Sequence, residues 1–228
     1  MRFSIVCLAA LASMGCVSAH ALDGASFRLL ELAGSHVKWG SAELGRGATV
    51  TYAFATKAMS FEGARNCRGL TSIASLRQDV DVVRAETAKA FALWSGVANI
   101  SFQEVADVDA AGIVIGAQAV PDGRAFANVQ PSAEDGLVRT IQQSLVCLNP
   151  SIHWKVGMNG NTEIYDLQYT LAHEVGHAIG LDHPSSSGQL MAYRYNEKFG
   201  HLQQGDIAGA IALYGPRSLS EEAHQRVQ

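Results

Sequence analysis

The sequence predicts an α+β domain, and three observations carry that prediction. Short runs alternate apolar and polar residues at a period of two, as in Ala48–Phe54 (ATVTYAF) and 99–105 (NISFQEV). Two longer stretches, 78–94 and 202–215, repeat apolar residues at three- and four-residue steps, the period of a helix packed on one side. A third helical stretch opens at Asp166 and runs into His173-Glu-Val-Gly-His-Ala-Ile-Gly-Leu-Asp-His183.

In chain order, residues 1–21 read as a targeting segment. Arg2 precedes an apolar run from Phe3 to Ala12 that is too short to span a bilayer, and cleavage after Ala19 or after Ala21 both suit the small-x-small preference. A competing reading is a lipoprotein signal modified at Cys16. Both imply export, and no other stretch is apolar for the roughly 18 residues a membrane helix needs. Residues 22–38 form a short N-terminal segment, too few for a folded propeptide, and the domain is taken to span 39–215, starting near Trp39. After the first strand, 56–75 is expected to be a long loop. The 78–94 helix places Val80, Val83, Ala88, Phe91 and Trp94 inward and ends at Gly96. Strands follow at 99–105, at 112–117 (GIVIGA, continuously apolar and so covered on both faces), at 125–130 after a Pro121-Asp122-Gly123 turn, and at Val138–Leu148. Asp166 caps the third helix. The last helix, 202–215, carries Ile207, Ile211 and Tyr214 on one face, and 216–228 is a polar tail.

Composition narrows the function. Residues are 48% hydrophobic and 17% charged, ordinary for a domain with a sizeable core, and the formal charge of −4 offers no basic field for nucleic acid or anionic lipid. A monomer is expected. Removing the targeting segment leaves Cys67 and Cys147, which in an exported protein read as one disulfide, contributing about 4 kcal/mol in the chain-entropy model.

The chemistry concentrates at 173–183. His173 and His177, four apart on a helix, stand on one face and can share one Zn²⁺. Glu174 is beside the metal but turned from the ligand row, where a general base can hold water. Gly180 supplies the positive φ that ends the helix sharply, so His183 can return as third ligand and leave a fourth position open, the mark of a catalytic rather than a structural zinc. Requiring Gly180 and His183 beyond the bare HExxH cuts chance matches by roughly 300-fold.

HEVGHAIGLDH resembles the extended zinc signature of the metzincin metalloproteases, and HAIGLDH is especially similar to the matrixins. The resemblance covers about 39–215 and implies the zincin fold: a twisted, mainly parallel sheet with one antiparallel edge strand and three main helices. It implies that Met191, in Gly188-Gln189-Leu190-Met191, lies beneath the zinc as an apolar floor. It implies that the 125–130 strand, with Ala127, Asn128 and Val129, pairs its free backbone groups with an extended substrate. Two residues depart from the matrixin pattern. Pro184 follows the third histidine as in serralysins, and Tyr193 stands where astacins and serralysins place a tyrosine that binds zinc or steadies the tetrahedral intermediate. A pocket-wall aromatic is the other reading of Tyr193. No glycine- and aspartate-rich nonapeptide array follows, which excludes a full-length serralysin. Matrixin propeptides cap the zinc with a cysteine, but Arg65-Asn66-Cys67-Arg68-Gly69 lacks that motif's flanks and lies inside the domain. The HxD element of a second, structural zinc is missing; His36 and His153 read as surface or loop residues, so one zinc is expected. No carboxylate cluster argues for Ca²⁺.

The function this implies is a secreted, extracellular or periplasmic zinc metalloendopeptidase acting on protein or peptide substrates. Glu174 would take the proton of the attacking water and pass it to the leaving amine, and Tyr193 would donate to the oxyanion. Because histidines ligate only when neutral, activity and metal content should fall together below about pH 6. The rivals are a non-catalytic zinc-stabilised protein-binding module, which has no use for Glu174, and an exopeptidase.

Overall fold

A computed structural model describes residues 26–65, 67–118 and 123–217. The targeting segment, Cys16, most of the Pro121-Asp122-Gly123 turn and the tail beyond 217 lie outside the described residues.

The described residues form eleven strands and three α-helices: β1 (Arg28–Leu29), β2 (Glu31–Leu32), β3 (Ser35–Lys38), β4 (Ala48–Phe54), α1 (Val80–Ser95), β5 (Ile100–Glu104), β6 (Ile113–Ala117), β7 (Ala125–Pro131), β8 (Val138–Leu148), β9 (Trp154–Lys155), β10 (Tyr165–Asp166), α2 (Leu167–Ala178), β11 (Leu181–Asp182) and α3 (Gln204–Tyr214). A seven-stranded sheet has the order β2-β3-β8-β6-β4-β5, with β7 added antiparallel along β8. The pairs β3–β8, β8–β6, β6–β4 and β4–β5 are parallel, and β2–β3 is antiparallel. This is the mainly parallel α+β sheet the sequence led to expect, with a second antiparallel strand, β2, beyond the one anticipated.

The sheet is covered on both faces, which explains the unbroken apolar run in β6. Ile113, Ile115 and Ala117 enter the main core with Trp94, Leu171 and Val175 of the helices. Val114 turns the other way, into a smaller cluster with Leu145, Cys67 and Leu70. That second face is covered by the 56–75 stretch. Its Met59 and Leu70 exchange backbone hydrogen bonds of 2.9 and 2.8 Å, it ends in a short 3₁₀ turn at Ile73–Ser75, and Cys67 forms a disulfide with Cys147 of β8 across a Cα–Cα distance of 5.8 Å.

Three details differ from the sequence reading. Strands form ahead of the expected first strand at 48–54: His36, Val37 and Lys38 pair with Val138, Arg139 and Thr140 in the main sheet, and β1 pairs with β11 in a separate two-stranded one. A segment too short to fold alone meets its backbone hydrogen bonds by joining existing strands. In α1 the buried stripe is Val83, Glu86, Thr87, Ala90, Phe91 and Trp94, whereas Val80 and Ala88 are exposed. Thr87 and Glu86 tolerate burial because the Thr87 hydroxyl donates to the Val83 carbonyl at 2.7 Å and Glu86 pairs with Lys89. In α3 the buried face is Gly205, Asp206, Gly209, Ala210, Leu213 and Tyr214, and Ile207 and Ile211 are only half-buried. Close approach decides that face: a Cβ at Gly205 or Gly209 would meet Ser26 or the Leu181 and Phe27 side chains.

Candidate active site

Helix α2 starts where Asp166 accepts the Tyr169 N–H at 2.8 Å, and the same carboxylate accepts the Gly157 N–H at 2.7 Å. The helix packs on α1 through Trp94, whose indole N–H donates to the Ala172 carbonyl at 2.9 Å. Its end is fixed by three side chains. Trp39 Nε1 and the Ser144 hydroxyl donate to the Ala178 carbonyl at 2.9 and 3.0 Å, and the Tyr214 hydroxyl donates to the Ile179 carbonyl at 2.5 Å. These groups satisfy carbonyls a helix C-terminus leaves orphaned. Gly180 then takes φ +107°, and a Cβ there would run into the Val37 carbonyl oxygen. The chain turns back and brings His183 to the helix.

The three imidazoles converge. His183 Nε2 lies 3.0 Å from His173 Nε2 and 3.2 Å from His177 Nε2. Four ligands at tetrahedral angles about a zinc with Zn–N near 2.0–2.1 Å are about 3.3 Å apart, so the spacing fits that ion. The outer nitrogens settle the tautomers: His173 Nδ1 faces the Leu190 carbonyl and His177 Nδ1 the Leu181 carbonyl, both at 2.8 Å. A carbonyl only accepts, so each Nδ1 holds the proton and each Nε2 presents its lone pair inward. Burial, and then the neighbouring imidazoles, hold His173 well below the ordinary histidine range and His177 at about 4; burial also lowers His183. Neutral donors at close quarters suit a cation. Among the described residues this is the one group of three or more His, Cys, Asp or Glu that converges in this way.

Glu174 is buried next to the triangle, and its carboxyl accepts the Ala127 N–H from edge strand β7. Burial pushes it up to about 8, with the Ala127 bond pulling the other way; a dication alongside would favour the carboxylate again. Met191 is 2% exposed and lies beneath the helix so closely that a Cβ at Gly176 would collide with its sulfur and with Trp94. The Met191 turn hangs on Asp206, whose carboxylate accepts Leu190 N–H at 2.8 Å, Met191 N–H at 3.0 Å and Gln203 N–H at 2.8 Å. Burial raises the Asp206 pKa and those three donors restrain it. Because the Leu190 carbonyl also accepts the His173 Nδ1–H, Asp206 orients His173 through one turn of backbone.

A cleft of about 880 Å³ runs over the site, lined by His173, Glu174, His177 and His183 on one side and by Ala127, Asn128 and Val129 of β7 on the other. Tyr193 lines it too, with its ring edge-to-face at 5.2 Å from His183 and 82% exposed. Of the sequence-predicted residues, His173, Glu174, His177, His183, Tyr193, Ala127, Asn128 and Val129 line one cleft, whereas Gly180, Met191, Cys67 and Cys147 are outside its lining. Gly176 and Asp206 were not singled out from sequence, and Trp39 and Tyr214 were read as a domain start and a helix face rather than as supports of the site. The glycine inside HEVGH and the acid three residues past Gln203 were the visible signals, but each acts on a residue distant in the chain. His36 lies half-buried in β3 and His153 is exposed, both away from the triangle.

The fold and the histidine triangle define a metzincin-type domain. The family model described as Matrixin (Peptidase_M10) matches residues 71–215, and the chain belongs to that family. It is similar to Metalloendoproteinase 1-MMP of Arabidopsis thaliana, 32% identical over 165 residues, covering 64% of this chain and 43% of that protein. It is also similar to the hatching enzyme of Paracentrotus lividus, 30% identical over 71% of this chain and 28% of that protein, and to mouse matrix metalloproteinase-19, 34% identical over 60% and 26%. The chain spans less than half the length of these relatives. No helix among the described residues is long and apolar enough to cross a membrane.

Proposed function

We propose that this protein is an exported zinc metalloendopeptidase that hydrolyses internal peptide bonds of protein substrates. The observation that carries the reading is the geometry of the triangle: the Nε2 atoms of His173 and His177 lie 3.0 and 3.2 Å from that of His183, with Glu174 alongside in the same cleft. His173, His177 and His183 would hold the zinc, which when bound supplies a Lewis acid for the scissile carbonyl and acidifies a water.

The chain's own residues do the rest. Strand β7 pairs with β8 on one side and lines the cleft, so an extended peptide can lie along it, and a strand that runs past the site suits internal cleavage. Glu174 sits between that strand and the histidines, where its carboxylate can accept a proton from water and return it to the leaving nitrogen. The Met191 turn excludes water from below and keeps His173 in register through Leu190. Tyr193, on the open rim beside His183, is placed to steady developing oxyanion charge or to wall the pocket.

Cleavage of end-blocked, quenched peptides with and without chelator, beside Glu174→Ala with its zinc measured, tests the proposal. The variant should keep about one zinc per chain and lose cleavage by at least a hundredfold, the scale typical of general-base removal. Wild-type protein that holds zinc and cuts no blocked peptide would move the binding-module reading to the front.

A further inference from the structure

Among the described residues, three cations lie over aromatic rings, and two of them find their counterpart groups within the protein. The Arg84 guanidinium covers Phe54 at 4.4 Å and is ion-paired with Glu104. The Lys38 ammonium lies 5.1 Å from the centre of the Tyr214 ring and donates to the Trp39 and Ser41 carbonyls at 2.8 and 2.9 Å. Arg124 covers Tyr165 at 4.1 Å, is exposed, and is paired with no carboxylate among the described residues. It also lines the cleft that contains Glu174.

The surface beneath Arg124 is stiff. Tyr165 stacks on Tyr195 at 4.1 Å with 15° between the planes. The Tyr195 hydroxyl donates to Glu197 at 2.6 Å and accepts the Asp166 N–H at 2.9 Å. Glu197 is itself met by Lys155 and by the Asn159 and Gly160 N–H groups, so its charge is already compensated. A guanidinium held over such a ring by its central carbon still has N–H groups to offer outward, and they form the fork that grips a carboxylate with two parallel hydrogen bonds.

Position fixes where the carboxylate would come from. Arg124 precedes by three residues Ala127, whose N–H meets Glu174. At roughly 3.3 Å per residue that is about 10 Å along the strand. A peptide extended beside β7 advances at the same rise, so the side chain facing Arg124 belongs to a residue two or three from the bond being cut.

We propose that Arg124 is a specificity-determining residue that selects substrates carrying Asp or Glu two or three residues to one side of the scissile bond. The proposal rests on the peptidase reading above and extends it to a substrate class.

The test uses zinc-loaded Glu174→Gln protein and fluorescent end-blocked peptides that differ only by Glu or Gln at each position in turn, read by anisotropy. The same peptides are given to active wild type to locate the cut. One position should favour Glu over Gln by about tenfold, as charge-assisted hydrogen bonds do, and the ratio should shrink as salt rises. Adding Arg124→Gln should bring it to about one, Arg124→Lys should keep part of it, and Arg124→Glu should invert it towards Lys. Zinc content and thermal midpoint of each variant check that the fold persists. A ratio near one at every position, or a preference that survives Arg124→Gln, overturns the proposal. Binding is measured without turnover, so an uncut peptide would count against the peptidase reading and leave the charge selection decided separately.

Discussion

The two sides of the cleft are held by different physics. Beneath the histidines, buried hydrogen bonds run from element to element: His173 to Leu190, Leu190 and Met191 to Asp206, and the end of α2 to Trp39, Ser144 and Tyr214. Across the cleft, the 56–75 stretch contributes Phe61, Gly63 and Arg65 as a wall. Its ties to the rest of the protein include the Arg65 N–H bond to the Asn128 side chain, the Thr71–Ala117 bridge with the Thr71 hydroxyl, the exposed Lys57–Asp109 ion pair, a small apolar cluster and the Cys67–Cys147 disulfide. Metal ligands need placement to tenths of an ångström, which directional bonds in a water-free interior provide. A wall that only confines a peptide can be positioned by a covalent staple whose neighbours are few.

Breaking the floor should cost most. Asp206→Ala strips the acceptor from three N–H groups, two of them buried, and should destabilise the protein by about 3–5 kcal/mol in urea unfolding. It should also weaken zinc at least tenfold in chelator competition, the scale of orienting-group losses. Zinc affinity equal to wild type in a folded Asp206→Ala protein would mean the floor does not orient His173.

Next is the wall. Replacing both Cys67 and Cys147 by Ala should lower stability by about 2–4 kcal/mol. Amide exchange should quicken in 59–70 while 173–183 stays protected and zinc stays bound. Loss of zinc along with the disulfide would show that wall and floor are one unit.

Acid should act on the histidines, offset in part by Glu174, whose carboxyl, raised to about 8, holds a proton in the folded chain that the unfolded chain gives up above 4.5. His177 titrates at about 4 in the folded chain and near 6.5 unfolded, and His173 is shifted in the same direction. The unfolded chain therefore binds more protons between these values, so this contribution is complete above about pH 6.5 and is lost as pH falls towards 4. Metal-stripped protein should show a falling thermal midpoint across that window. Zinc, which competes with the same protons, should be retained to lower pH than the value near 6 that sequence alone suggests. A midpoint that stays flat from pH 6.5 to 4 would contradict the burial of these rings. The smallest effect is expected at Tyr193, whose ring is mostly in solvent. Tyr193→Phe should lower kcat less than tenfold with zinc unchanged, and a loss above a hundredfold would put its hydroxyl at the reacting centre.

Most of the local structure was legible because local physics sets it. Period-two alternation placed β4 and β5, the apolar run placed β6, and Asp166 and Gly180 marked the ends of the metal helix through capping and positive φ. The histidines and Glu174 were legible because helical spacing alone puts His173 and His177 on one face. What misled was periodicity where helices touch through small residues. In α3 the isoleucines suggested the buried side, yet Gly205 and Gly209 are the residues whose missing Cβ atoms admit neighbouring chain.

The sequence by itself thus determined the α+β class, the convergence of His173, His177 and His183 beside Glu174, and the pairing of the two remaining cysteines, all readable from spacing, period and count. Tertiary structure alone decided what holds those ligands in place. Asp206 reaches the Met191 turn, Gly176 makes room for its sulfur, Trp39 and Tyr214 close helix α2, and 31–38 joins the sheet, because each of these is a contact between segments distant in the chain. Such contacts depend on where a whole element lands, and no local period encodes that.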